Sequence, residues 1–119
     1  MPRRVLIVDD SAPFRMTARA LLEARGYAVA GTAADGASAL DAAAELRPDA
    51  VLLDVNLPDM SGFQVYEELT KRWPGLPVIF STGHADARAL GEVHHRNVPS
   101  IMKPYDIDEL LAVVSRPDS

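Results

Sequence analysis

Four short apolar runs, each closed by a polar residue, organise this chain. Val5-Leu6-Ile7-Val8 ends at Asp9-Asp10, and Ala50-Val51-Leu52-Leu53 ends at Asp54. Val78-Ile79-Phe80 leads into Ser81-Thr82, and Ile101-Met102 into Lys103-Pro104. Continuous runs of this length suit strands covered on both faces of a parallel sheet. Between them the pattern turns helical. Asp10 or Ser11 can cap a helix reaching about Arg25, with Phe14, Ala18, Leu21 and Leu22 on one stripe and Gly26 as its stop. Tyr27 to Thr32 reads as a second strand, Asp35-Gly36 as a turn, and Ala37 to Leu46 as an alanine-rich helix ended by Pro48.

Beyond Asp54, Leu57 to Gly62 is rich in turn residues, and Phe63 to Arg72 forms a third helix that stops at Trp73-Pro74-Gly75. A strand from Pro77 to Ser81, a helix from about Asp86 to Arg96 weakened by Gly91, a strand from Pro99 to Met102 and a last helix from Asp106 to about Ser115 complete the series. Phe14, Met16, Met60 and Met102 read as core or rim, and Trp73 as packing at the end of the third helix. Strands alternating with helices predict a doubly wound, five-stranded parallel sheet with helices on both faces. At 119 residues the chain is expected to form a single domain, residues 1–119.

Ligands of such folds bind beyond the carboxyl ends of the strands. Asp9, Asp10, Asp54, Thr82 and Lys103 all fall there. Singly each is bland: an acid can be a helix cap, a threonine can bond its own turn, and a lysine is by default on the surface. Together they bring three carboxylates, a hydroxyl and an ammonium to one crevice. Clustered carboxylates repel unless a cation lies among them, and an all-oxygen site suits Mg²⁺. The chemistry indicated is phosphoryl transfer to an aspartate. Asp54 is the nucleophile, Asp9 and Asp10 hold the metal, and Thr82 and Lys103 contact phosphoryl oxygens.

Composition narrows the alternatives. A net charge of −5, with no basic run beyond Arg3-Arg4, argues against sequence-independent nucleic-acid binding. The chain contains no cysteine, which excludes disulfides, thiol catalysis and thiolate metal sites. No segment has the form of a signal peptide or the length to span a bilayer, so a soluble cytoplasmic protein with no membrane partner is expected.

In order and in combination, Val8-Asp9-Asp10, Leu53-Asp54-Val55-Asn56-Leu57-Pro58-Asp59-Met60-Ser61-Gly62, Ser81-Thr82-Gly83 and Lys103-Pro104 resemble the receiver domain of two-component response regulators. The resemblance runs from Val5 to about Val114 and implies a flavodoxin-like fold. It implies that Asp54 is the phosphoacceptor, that Asp9 and Asp10 form the acidic pocket, and that the backbone carbonyl of Asn56 is a further Mg²⁺ ligand. Thr82 becomes the switch hydroxyl, Lys103 the phosphoryl-contacting lysine, and Pro104 the partner in a cis Lys-Pro bond. The donor it implies is a phosphohistidine on a histidine kinase or a histidine phosphotransfer protein. The responding surface is helix four, strand five and helix five, and a homodimer through the last two helices is compatible with that.

The sequence departs from the family at Ser100, where receivers often carry an aromatic residue three positions before the lysine. Gly83, where alanine is common, loosens the following loop. His84 and Asn56 are placed to influence hydrolysis of the phosphoryl group, whereas His94 and His95 do not share a helix face and read as surface residues. A phosphohydrolase would need a substrate cap and an acid at position 56. A phosphate-independent interaction module would lack one of the acids or the lysine. The start at Met1 fits a natural N-terminus, while the short last helix leaves open a longer regulator or hybrid kinase.

Overall fold

The structure is a computed structural model that describes residues 3–82 and the backbone of 100–102. The elements in chain order are β1 (Arg4–Val8), α1 (Ala12–Ala24), β2 (Ala28–Ala33), α2 (Gly36–Leu46), β3 (Ala50–Asp54), α3 (Gly62–Arg72), β4 (Val78–Thr82) and β5 (Ser100–Met102). The strands form one parallel sheet in the order β2-β1-β3-β4-β5. The expected fourth and last helices lie outside the described residues.

The alternation of side chains along the strands divides the core in two. Leu6, Val8, Val51, Leu53 and Phe80 face one way and pack with Ala39 and Ala43 of α2 and Val65 and Leu69 of α3. Val5, Ile7, Leu52 and Ile79 face the other way and pack with Ala18 and Leu22 of α1. Both faces are thus covered, which is why these strands read as unbroken apolar runs rather than alternating ones. The rings of Phe63 and Tyr66 lie 4.9 and 5.4 Å from that of Phe80 and seat α3 on β4. Trp73 and Met60 pack at the margin of the same cluster, as their positions suggested.

Several boundaries differ from the sequence reading for identifiable reasons. Strand β2 starts at Ala28 because the Tyr27 N–H still closes α1, donating to Leu22 O at 3.1 Å, and Gly26 supplies the positive φ of 89° for the exit. Helix α2 starts at Gly36 because Asp35 is its N-cap, accepting the Ser38 N–H at 2.8 Å. It ends at Arg47 in the left-handed conformation (φ 49°), one residue before Pro48. Arg4 crosses to that end, donating through Nη1 to Leu46 O at 2.9 Å and Arg47 O at 3.2 Å, so a cation meets the carbonyl end of the helix dipole. Met16 corrects the sequence reading: it is 71% exposed on α1. It stands two residues past Phe14, about half a turn off the Phe14–Ala18–Leu22 stripe.

Register brings the polar residues abreast. Val8 pairs with Leu53, so Asp9 and Asp54 follow at the same level. Asp54 pairs with Ser81, and Thr82 with Met102, the residue before Lys103. Among the described residues, no helix is long and apolar enough to cross a membrane.

Candidate functional site

Two strand ends are finished by the same local device. Asp9 Oδ1 accepts the N–H of Ser11 at 2.9 Å, and Asp54 Oδ1 accepts the N–H of Asn56 at 3.1 Å. Each is a turn in which an aspartate bonds the backbone two residues on, a conformation short acidic side chains favour. The turns stop the strands and fix the orientation of both carboxylates. Asp9 is 1% exposed and Asp54 5%, while Asp10 is exposed at the mouth.

Asp9, Asp10 and Asp54 converge, with carboxylate oxygens from the three residues all within 4.8 Å of one another. Two of these acids are buried, and at such a separation like charges cost free energy in any medium drier than water. A hard divalent cation answers that cost with the ligand chemistry it prefers. The cluster therefore fits a cation such as Mg²⁺. Arg15 stands beside it, its Nη1 donating to the backbone oxygen of Asp9 at 2.6 Å, and this guanidinium was not anticipated from the sequence.

Thr82 ends β4 and is fully buried, and its hydroxyl has no hydrogen-bond partner among the described residues. Buried hydroxyls are normally bonded, so this oxygen is a candidate contact for a bound group. Asn56 is exposed, immediately beyond Asp54. Ser100 begins β5 opposite Phe80. Gly83, His84, His94, His95, Lys103 and Pro104 lie outside the described residues.

The loop between β3 and α3 has a build that the sequence reading only partly saw. Its base is closed by the Gly62 N–H, which donates to Val55 O at 2.8 Å, and by an antiparallel bridge between Asn56 and Ser61. Ser61 then starts α3 with a reciprocal cap. Its hydroxyl accepts the Gln64 N–H at 3.2 Å, and Gln64 Oε1 accepts the Ser61 N–H at 3.0 Å. The spacing of Ser61 and Gln64 carries that signature in the sequence, where it was passed over.

At the loop tip, Asp59 was missed for a different reason: its partners are far away in the chain. Asp59 Oδ1 accepts the Gly36 N–H at 2.7 Å and Oδ2 the Ala37 N–H at 3.0 Å. These two donors, Gly36 first, hold its carboxyl below the usual carboxylate range.

Comparison with known proteins gives the family. Residues 5–115 match the profile of the response regulator receiver domain. The chain is 40% identical over 117 residues to the chemotaxis protein CheY of Thermotoga maritima, an alignment covering 98% of both. It is 34% identical over 113 residues to the DNA-binding transcriptional regulator NtrC of Escherichia coli K12, covering 94% of this chain and 24% of NtrC. Among solved structures, NtrX from Brucella abortus superposes with a TM-score of 0.88 at 31% identity, over 98% of this chain and 27% of that one.

Proposed function

Since the chain belongs to the response regulator receiver family, we propose that it is a cytoplasmic phosphorylation switch with Asp54 as its phosphoacceptor. The observation that carries the residue-level reading is the convergence of Asp9, Asp10 and Asp54 at adjacent strand ends, two of them buried.

In this reading a carboxylate oxygen of Asp54 attacks the phosphorus of a phosphohistidine on a histidine kinase or histidine phosphotransfer protein. An O–P bond forms as the N–P bond breaks, and the imidazole leaves with that electron pair and takes up a proton. The product is a mixed anhydride on Asp54. Mg²⁺ would be held by Asp9, Asp10, Asp54 and the Asn56 carbonyl, and would supply positive charge to the phosphoryl oxygens. The Asn56 N–H fixes Asp54 before the donor arrives, so little reorientation is left for the reaction. The Thr82 hydroxyl donates to one phosphoryl oxygen and the Lys103 ammonium contacts another. Water attack on phosphorus later returns the carboxylate and releases phosphate. The chain's chemistry is limited to this transfer to itself and the hydrolysis of the resulting anhydride.

Phosphate on Asp54 draws Thr82 toward it and biases the surface of helix four, β5 and helix five. Gly83, His84, Ser100 and Pro104 tune that response. Ser100 in particular means that switching proceeds without the aromatic side chain many receivers place there.

The test is intact-protein mass after incubation with acetyl phosphate, with and without Mg²⁺. A Mg²⁺-dependent gain of one phosphoryl group that disappears in Asp54→Asn is expected. Modification that persists in Asp54→Asn would sink the assignment.

A further inference from the structure

The carboxylate of Asp59 lies three residues beyond Asn56, at the tip of the β3–α3 loop, and is exposed. Its two oxygens nevertheless take the first two N–H groups of α2, Gly36 and Ala37, across 23 and 22 residues of chain. A helix N-terminus has orphan donors and positive partial charge, so an acid there is favourable. Yet α2 already carries its own local cap, since Asp35 takes the Ser38 N–H. Water could serve the two remaining donors. What the long-range pair adds is a fixed point for the loop.

The neighbouring contacts agree. Met60 packs against Gly36 so closely that a side chain at position 36 would collide with its Cγ and Sδ. The loop is therefore closed at its base by Gly62 and Val55 and clasped at its tip by Asp59 and Met60 onto α2. Asn56, whose N–H holds Asp54 Oδ1, sits on the tip side of that base, bridged to Ser61 and followed directly by the segment that Asp59 clasps.

We propose that Asp59 is a positioning residue for the acidic pocket: by clasping the N-terminus of α2 it fixes the Asn56 segment beside Asp54. The proposal rests on the reading of Asp9, Asp10 and Asp54 as the cation site and of Asp54 as the phosphoacceptor. Asp59 touches neither the cation nor the phosphoryl group. It acts through the path of the loop, and its loss lets the Asn56 backbone drift from the place where its carbonyl and N–H serve the site.

The experiment compares wild type with Asp59→Ala, Asp59→Asn and Asp35→Ala. Initial phosphorylation by acetyl phosphate is followed by intact mass across a Mg²⁺ series, and Mg²⁺ binding is measured by calorimetry. Asp35→Ala removes the local cap of α2 and leaves the Asp59 carboxylate in place, so it controls for simple loss of helix capping.

The proposal expects Asp59→Ala to raise the half-saturating Mg²⁺ concentration about threefold to tenfold, at or below the usual effect of losing an acid bonded directly to a ligand. Asp59→Asn, which keeps an acceptor oxygen, recovers part of this and stands in if the alanine variant fails to fold. Asp35→Ala keeps the wild-type Mg²⁺ dependence even where its urea midpoint falls equally. Unchanged Mg²⁺ dependence in both Asp59 variants, or an equal shift in Asp35→Ala, overturns the proposal. If wild type binds Mg²⁺ but gains no phosphoryl group, it is the phosphoacceptor reading that fails, and the calorimetric comparison still decides the role of Asp59.

Discussion

Gly62 lies against Asp54 so closely that a methyl group on it would overlap the Asp54 backbone oxygen and stand 2.7 Å from Val55 Cα. The first residue of α3 is thereby packed on the last residue of β3. Gly62→Ala must push the Asp54 end of β3 or the helix away. The expected cost is about 1 to 3 kcal/mol, typical of overpacking at a site with no room to give. Urea unfolding should show that loss, and phosphorylation by acetyl phosphate should slow in the fraction that stays folded.

Asp54→Asn should be more stable than wild type without the cation and lose most of that advantage with it. Without Mg²⁺, removing one of three clustered charges relieves repulsion of about 1 to 3 kcal/mol at these separations. The amide oxygen can still accept the Asn56 N–H. With Mg²⁺ at a hundred times its dissociation constant, wild type gains about 2.7 kcal/mol and the variant gains less. Thermal melts with EDTA and with saturating Mg²⁺ check the change in that difference.

The pH dependence of Asp59 has a definite sign. Its folded carboxyl is held below the usual range by the Gly36 and Ala37 N–H groups. The stability it contributes is thus present above the unfolded value and is lost as pH falls through the folded one. Asp59→Asn should be less stable than wild type at neutral pH, and the gap should close below about pH 4. Because the carboxylate is exposed, added salt should narrow it as well. A gap that widens on acidification would contradict the arrangement.

Two residues of α1 give a contrast within one helix. Leu22 is fully buried, and Leu22→Ala should cost about 2 to 5 kcal/mol. Met16 is 71% exposed, and Met16→Ser should change stability by less than about 0.5 kcal/mol. Denaturant midpoints for the pair test the placement of the helix.

The reciprocal cap at the start of α3 makes a further local prediction. Ser61→Ala removes the hydroxyl that takes the Gln64 N–H and should cost about 1 kcal/mol. Ser61→Asp should recover most of it in the same urea titration.

What the sequence disclosed about this molecule follows the range of the forces involved. The strands were legible because burial on both faces leaves an unbroken apolar run, as in Val5 to Val8. The meeting of Asp9 with Asp54 was legible because each closes such a run, and parallel register then sets them level. The start of β2 was misplaced by one residue because Tyr27 has a tertiary-compatible side chain but a backbone still committed to the end of α1. Met16 was misread by hydrophobicity alone, although its angle around the helix was available. Asp59 had no local signal: its partners are backbone groups 22 and 23 residues away, and backbone donors look alike in every sequence.

The strand order has a final consequence. Both buried acids hang from β1 and β3, strands flanked on each side, whereas β5 is an edge and leads to Lys103. Fraying travels inward from edges, where half the ladder is missing. A molecule loosening from its β5 margin would therefore keep its acids together after parting with the segment that precedes Lys103. On the proposed roles of these residues, capture of the cation and sensing of the phosphoryl charge would come apart in that order, and amide exchange at Leu53 should be slower than at Ile101.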